Sequence, residues 1–259
     1  KNAEAHYYRA LAQARLGNDA DAEKGLERAI ELNGELLLAR AHLGELYLVS
    51  DPPRAKKAIE VLAPAAKAEP KDADVQQLLA YAYRLEKRYD ESSKHYKATL
   101  KLEDNPKFRF DYADMLFEAG RLEQAAEQMR AALPAYRDDV AVVAQLAHRF
   151  AKAKAFDDCV QAFTRAIELR AKEPGFHLHR GLCKHSLDDE EGAQADYKKA
   201  LDLDPKFQPG WYYLGMSLLE TKRTTQAVDA LEKASKLDKN SAVGKKAKDK
   251  LDELAKGLR

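Results

Sequence analysis

Stepping back from Trp211 in units of 34 residues meets a comparable set of side chains each time. Trp211, Leu214, Gly215, Leu218, Ala227, Leu231 and Ala234 become His177, Arg180, Gly181, Lys184, Ala193, Tyr197 and Ala200, then Val143, Leu146, Ala147, Phe150, Cys159, Phe163 and Ala166. Numbered within a unit, these are positions 4, 7, 8 and 11, then 20, 24 and 27. The spacing of three and four residues inside each group places each group on one face of a helix. A chain built this way folds as helical hairpins that bury their apolar faces only by stacking on one another.

The period extends over the whole chain. Repeats are expected at 3–36, 37–72, 73–105, 106–139, 140–173, 174–207 and 208–241, with a capping helix at 242–259. In order, they carry Ala10, Ala22, Leu26 and Ala29; Leu43, Gly44, Tyr47, Ala58, Leu62 and Ala65; Leu79, Ala80, Tyr83, Ser92, Tyr96 and Thr99; and Tyr112, Ala113, Leu116, Ala125, Met129 and Ala132. Gly17 and Gly120 fall at turns, where a left-handed backbone suits glycine. The second repeat has a turn two residues longer, filled by Asp51, Pro52 and Pro53. Pro106 and Pro174 open first helices, and Pro70 and Pro205 follow second helices. Pro64 and Pro134 fall inside second helices, where a lost backbone bond predicts bends or early ends. In the tail, Val243, Ala247, Leu251, Leu254 and Leu258 form one stripe among lysines, as a helix covering the end of a stack requires.

Trp211, Leu214, Gly215 and Leu218 followed by Ala227, Leu231 and Ala234 resemble the tetratricopeptide repeat, W-x2-L-G-x2-Y…A-x3-F, with Leu218 in place of Tyr and Leu231 in place of Phe. The resemblance implies an all-α fold, a right-handed superhelical solenoid of helix-turn-helix repeats forming a single domain. Small side chains at positions 8 and 20 are expected to let the two helices approach, and the larger one at 24 to fill the space between hairpins. Arg9, Arg109 and Arg180 put charge where the pattern is apolar; their stems are expected along apolar surface with the guanidinium in water or on a carboxylate.

The resemblance also implies that first helices line a concave surface through positions 2, 5, 6, 9, 12 and 13. Those positions hold Tyr7, Tyr8 and Leu11, then Leu38 and Leu48, then Tyr81 and Arg84. The fourth repeat adds Lys107, Phe110, Asp114, Phe117 and Glu118, and the fifth His148 and Lys152. Leu178, His179, Leu182 and His185 follow, then Tyr212, Tyr213, Met216, Leu219 and Glu220. Exposed aromatic and apolar side chains in such a row mark an interaction surface. The same rings packed between neighbouring helices of a tightly wound superhelix would be core instead.

The partner expected is a protein or peptide segment with apolar side chains. Chaperone-binding members of the family clamp a terminal carboxylate with Lys, Asn and Arg on successive first helices; here those places hold Tyr7 and Leu11, His42, and Asp74 and Leu78, so such a tail is not expected. Lys plus Arg at 44 against Asp plus Glu at 43 provides no field favouring nucleic acid. Membrane spans and cofactors are not expected either.

His177 and His179 point about 200° apart on a helix, and His179 and His185 about 240°, so neither pair converges on a metal. His148 and His179 fall on adjacent first helices, where a ligand carboxylate or carbonyl fits between them. Cys159 and Cys183 have no metal spacing and are expected as reduced, buried thiols. No nucleophile elbow, phosphate loop, HExxH helix or CxxC pair is present.

Three roles therefore remain: a binding scaffold or adaptor that assembles a larger complex, a regulatory or substrate-recognition region of a larger enzyme, and a self-associating solenoid. The start at Lys1 without a Met suggests a processed or truncated product. The cytoplasm is the first expectation for its location, with the periplasm after signal removal as the alternative.

Overall fold

The computed structural model describes residues 2–257, so Leu258 of the expected capping stripe lies outside the described residues. Fifteen α-helices and one 3-10 turn make up the described chain, with no strand among the described residues. It divides into two compact units, Lys1–Ala132 and Leu133–Arg259.

The first unit contains α1 (Ala3–Arg15), α2 (Asp19–Leu32), α3 (Leu37–Val49), α4 (Ala55–Ala68), α5 (Ala73–Leu85), α6 (Tyr89–Leu102), α7 (Pro106–Glu118) and α8 (Leu122–Ala132). The second opens with the 3-10 turn Leu133–Tyr136 and continues with α9 (Val140–Lys152), α10 (Phe156–Leu169), α11 (Pro174–His185), α12 (Glu190–Leu203), α13 (Gln208–Glu220), α14 (Thr224–Leu237) and α15 (Ala242–Gly257). The first helices start at 3, 37, 73, 106, 140, 174 and 208, where the sequence repeats begin. Side-chain oxygens of Asn2, Asp72, Asn105 and Asp139 accept from backbone N–H groups at the starts of α1, α5, α7 and α9, satisfying donors that have no partner within the helix.

Core contacts repeat with the sequence. Gly44, Gly181 and Gly215 sit at position 8, and a methyl group on each would meet the position-24 side chain of the same hairpin, Leu62, Tyr197 or Leu231. Position 24 thus packs over the glycine of its own hairpin. Ala22, Ala58, Ala125, Cys159, Ala193 and Ala227 at position 20 are fully buried beside it.

The turns between paired helices share a second device. Gly17, Lys87, Gly120, Lys154, Asp188 and Lys222 all have φ between 58° and 76°, the left-handed region. One such residue reverses the chain in six of the seven repeats; the longer turn of the second repeat instead joins Arg54 N to Tyr47 O at 2.8 Å and contains the cis Asp51–Pro52 peptide.

Two further expectations are corrected and a third is met. Helix α4 continues through Pro64, carried by Ala58, Leu62 and Ala65, each essentially inaccessible to solvent. At Pro134, by contrast, the α-helix has already ended at Ala132 and the chain tightens into a 3-10 turn, the expected early end. Cys159 of α10 and Cys183 of α11 are not separate thiols: α10 packs against α11, and the two form a disulfide with the Cα atoms 6.2 Å apart.

Candidate functional site

In the first unit, Leu38 of α3 is 57% exposed and Tyr81 of α5 is 37% exposed, on first helices that pack beside one another. A recess of ≈ 330 Å³ lies between these helices, lined by Leu38, Ala41, His42, Glu45, Asp72, Asp74, Gln77 and Leu78. A second, of ≈ 200 Å³, is lined by Leu11, Ala14 and Val49 among others, with acidic Asp19 and Glu45 at its edge. Phe110, Asp114 and Phe117 of α7 are half-buried. The Arg84 guanidinium donates to both carboxylate oxygens of Glu118, at 3.1 and 2.6 Å, and so bridges α5 to α7 across one repeat. Its hydrogen bonds to Glu118 hold the Arg84 guanidinium protonated, against the opposing effect of burial.

Not every expected wall residue faces outward. Tyr7 is buried, its ring against His42 and Tyr8, and its hydroxyl lies 3.4 Å from His42 Nδ1. Burial, with a smaller contribution from Tyr8, raises the Tyr7 pKa. Leu48 and Leu178 are also buried. Tyr8, Leu16 and Val49 are the more exposed apolar groups, at 66%, 72% and 70%. Val49 falls at position 13, an inward-facing place that went unnamed in the sequence, whereas Leu16 follows the end of α1, outside those positions.

In the second unit, His148 and His179 do meet. Their rings stand edge-on with centroids 4.4 Å apart, and Phe163 packs against both. They touch each other directly, which leaves no gap for a carboxylate between them. Burial lowers both pKa values, that of His179 to about 4 with a further contribution from His148. Neutral imidazoles in a largely apolar contact are the result.

Leu182, Tyr212, Met216 and Glu220, all expected on the wall, line one recess of ≈ 160 Å³ together with His185, Tyr197, Tyr213 and Ser217. The sequence reading missed Glu190, at the start of second helix α12, whose Oε1 lies 2.5 Å from His185 Nδ1.

Arg180 and Lys184 converge on Asp196, which is 4% exposed: Arg180 donates to both carboxylate oxygens at 2.9 and 2.5 Å, and Lys184 Nζ lies at 2.8 Å. Burial pushes the Asp196 carboxyl up, but the hydrogen bonds from Arg180 and Lys184 outweigh it and hold the group below the usual range. This carboxylate answers the position-7 charge of Arg180, as Asp104 and Gln128 answer Arg109, so both arginines serve the hairpin rather than a ligand.

Models of the tetratricopeptide repeat match residues 4–34, 86–150 and 186–242. The chain is a tetratricopeptide repeat protein. Members of this family generally mediate protein–protein interactions. Small glutamine-rich tetratricopeptide repeat-containing protein 2 of Mycosarcoma maydis is 30% identical over 112 residues, 42% of this chain and 32% of that protein. The E3 ubiquitin-protein ligase CHIP of Arabidopsis thaliana is 31% identical over 90 residues, 35% of this chain and 32% of the ligase. The tetratricopeptide repeat chain thus spans about a third of each of these curated relatives.

Among solved structures, the C-terminal part of a TPR repeat-containing protein from Cytophaga hutchinsonii is similar with a TM-score of 0.65 and 12% identity, over 93% of this chain and 98% of that one. A tetratricopeptide repeat protein from Parabacteroides merdae gives 0.55 and 14%, over 95% and 96%. At these identities the likeness shows the fold.

Proposed function

We propose that this tetratricopeptide repeat protein is a scaffold or adaptor that holds an extended or helical protein segment against its first-helix face and so assembles a larger complex. The observation that carries the reading is the exposure of Leu38 and Tyr81 beside the recess between α3 and α5. Covering the exposed part of Tyr81 contributes about 1.5–2 kcal/mol, and that of Leu38 about 1–1.5 kcal/mol. Association costs about 4–15 kcal/mol before any net affinity appears. Two anchors are therefore too few, and an occupant long enough to reach Leu11 and Val49 as well, or Phe110 and Phe117, supplies the remainder.

The acidic rim of Glu45, Asp72 and Asp74 beside Leu38 favours a segment that carries basic residues between its apolar ones. Arg84, a cation on this face, is engaged by Glu118 and so is not open to a terminal carboxylate.

The test is selection of binders from a displayed library of random peptides, followed by affinity measurement on the wild type and on Leu38→Ala/Tyr81→Ala. Both residues are solvent-exposed, so the double variant keeps its helicity. The proposal expects apolar, partly basic peptides that lose about tenfold or more in affinity for the variant, a change of about 1.4 kcal/mol. Peptides that bind both proteins equally would place the binding face elsewhere.

A second reading rests on the likeness to CHIP, a ubiquitin ligase: a substrate-recognition region within a longer enzyme. Sequencing the full gene product tests it, since a catalytic region beyond these residues is required.

A further inference from the structure

We propose that His185, Glu190 and Glu220 form a binding site for a divalent transition-metal ion of the Zn²⁺ type. The three residues lie at the turn ends of two successive hairpins and are close in space. His185 is the last residue of α11, Glu190 the first of α12 and Glu220 the last of α13. One ligand atom from each lies within 4.8 Å of the others. His185 Nδ1 is 2.5 Å from Glu190 Oε1 and 3.5 Å from Glu220 Oε2. Ligands about 2.0–2.2 Å from a tetrahedral zinc ion stand roughly 3.3–3.5 Å apart. The His185 to Glu220 spacing already has this value, and the His185 to Glu190 pair needs to open by about 1 Å for an ion to enter.

The charge balance favours a cation. The ion pairs of Glu190 and Glu220 among the described residues are with His185 alone, and an imidazole bound to a metal is neutral, so the ion itself would balance the two carboxylates. One divalent ion neutralises them. The helix ends act in the same direction: the carboxyl ends of α11 and α13 carry partial negative charge that attracts a cation, while the amino end of α12 steadies the Glu190 carboxylate.

Glu190 is also held from behind. The Ser217 hydroxyl donates to its Oε2, and Gln194 Nε2 donates to that same hydroxyl oxygen at 3.1 Å. Both Ser217 and Gln194 are buried. A carboxylate fixed by a buried hydrogen-bond chain is the arrangement that orients metal ligands in proteins. Three protein ligands would leave a fourth position, and His185 and Glu220 also line the recess of Tyr212, Tyr213 and Met216. One nitrogen and two oxygens suit Zn²⁺ or its transition-metal neighbours, whereas Mg²⁺ and Ca²⁺ favour oxygen alone.

Pairs of histidines on one helix do not converge on a metal in this chain. The arrangement here uses three helix ends, a geometry that no single-helix spacing reports.

The test is calorimetric titration of the chelator-treated, tag-free 259-residue chain with ZnCl₂, with MgCl₂ as contrast. The expected result is one equivalent of Zn²⁺ bound, with Mg²⁺ bound at least about 100-fold more weakly. Glu220→Gln and His185→Gln should each weaken Zn²⁺ about tenfold or more, and Ser217→Ala about 10–100-fold through Glu190. His95→Gln, on α6, should leave the affinity unchanged. Circular dichroism of each variant establishes that the fold is kept; Glu220 is exposed enough that Glu220→Gln alone decides the matter if Ser217→Ala disturbs the helices. Absence of Zn²⁺ binding, or binding that Glu220→Gln and His185→Gln leave intact, would overturn the proposal.

Discussion

Replacing Gly44 by Ala sets two effects of opposite sign against each other. Alanine is the better helix former by about 1 kcal/mol, so propensity alone predicts stabilisation of α3. The new methyl group, however, would lie 2.5, 2.6 and 2.8 Å from Leu62 Cγ, Cδ2 and Cδ1. Carbon atoms pack at about 3.5–4.0 Å, so three contacts are each about 1 Å too short. Leu62 is 0% exposed and has no open space to turn into, which puts the overpacking cost near the top of its usual range, about 3 kcal/mol. The net expectation for Gly44→Ala is a loss of about 2 kcal/mol.

In a Leu62→Ala background those three atoms are gone, and the same substitution should stabilise by about 1 kcal/mol. Because a repeat array need not unfold in a single step, the appropriate assay is hydrogen exchange of the α3 and α4 amides, which reads local opening free energies. Gly44→Ala that is neutral or protective in the wild-type background, or that has the same sign in both backgrounds, would refute the account of positions 8 and 24.

Three other outcomes follow from the structure. Asp196→Ala should destabilise the second unit by about 2–3 kcal/mol, less than a fully buried pair would lose because Arg180 and Lys184 keep some access to water. Since the Asp196 carboxyl is held low in the folded chain, its contribution is present above the unfolded value near 4 and disappears as pH falls through the folded one; acid denaturation of Asp196→Asn should lack that component. His179 should titrate near pH 4 in an NMR experiment. The unfolded chain takes up that proton from about pH 6.5 downward, so acidification from about 6.5 to 4 favours unfolding, and a His179 midpoint above 6 would contradict its burial. Lys154→Gly should stabilise its turn by up to about 1 kcal/mol, read by thermal denaturation, because φ of 60° strains a lysine and not a glycine.

Much of the fold was legible because helix spacing and repeat length are local properties. The first helices begin where the repeats begin, and Gly17 and Gly120 marked their turns. Lys87, Lys154, Asp188 and Lys222 occupy the equivalent turns without a glycine signal, since the left-handed conformation there is imposed by the helices on either side.

Individual wall residues were less legible than the wall. Tyr7 and Tyr8 are adjacent in the chain, yet one is 5% and the other 66% exposed, because the Tyr7 ring packs against His42 of the next first helix. The Cys159–Cys183 bridge and the return of Glu190 onto His185 join one helix to another at spacings that belong to no motif. Pro64 stayed helical because tertiary packing of α4 outweighed the local break.

The central claim is that the first-helix face holds a protein segment, and site-specific photo-crosslinking in cells that make the native chain tests it most directly. A photoreactive phenylalanine analogue at Leu38 or Tyr81 should give discrete adducts with a partner polypeptide, while the same group at the exposed Lys101 of α6 should give none. Adducts formed as readily from Lys101, or absent from Leu38 and Tyr81 while another face forms them, would contradict it.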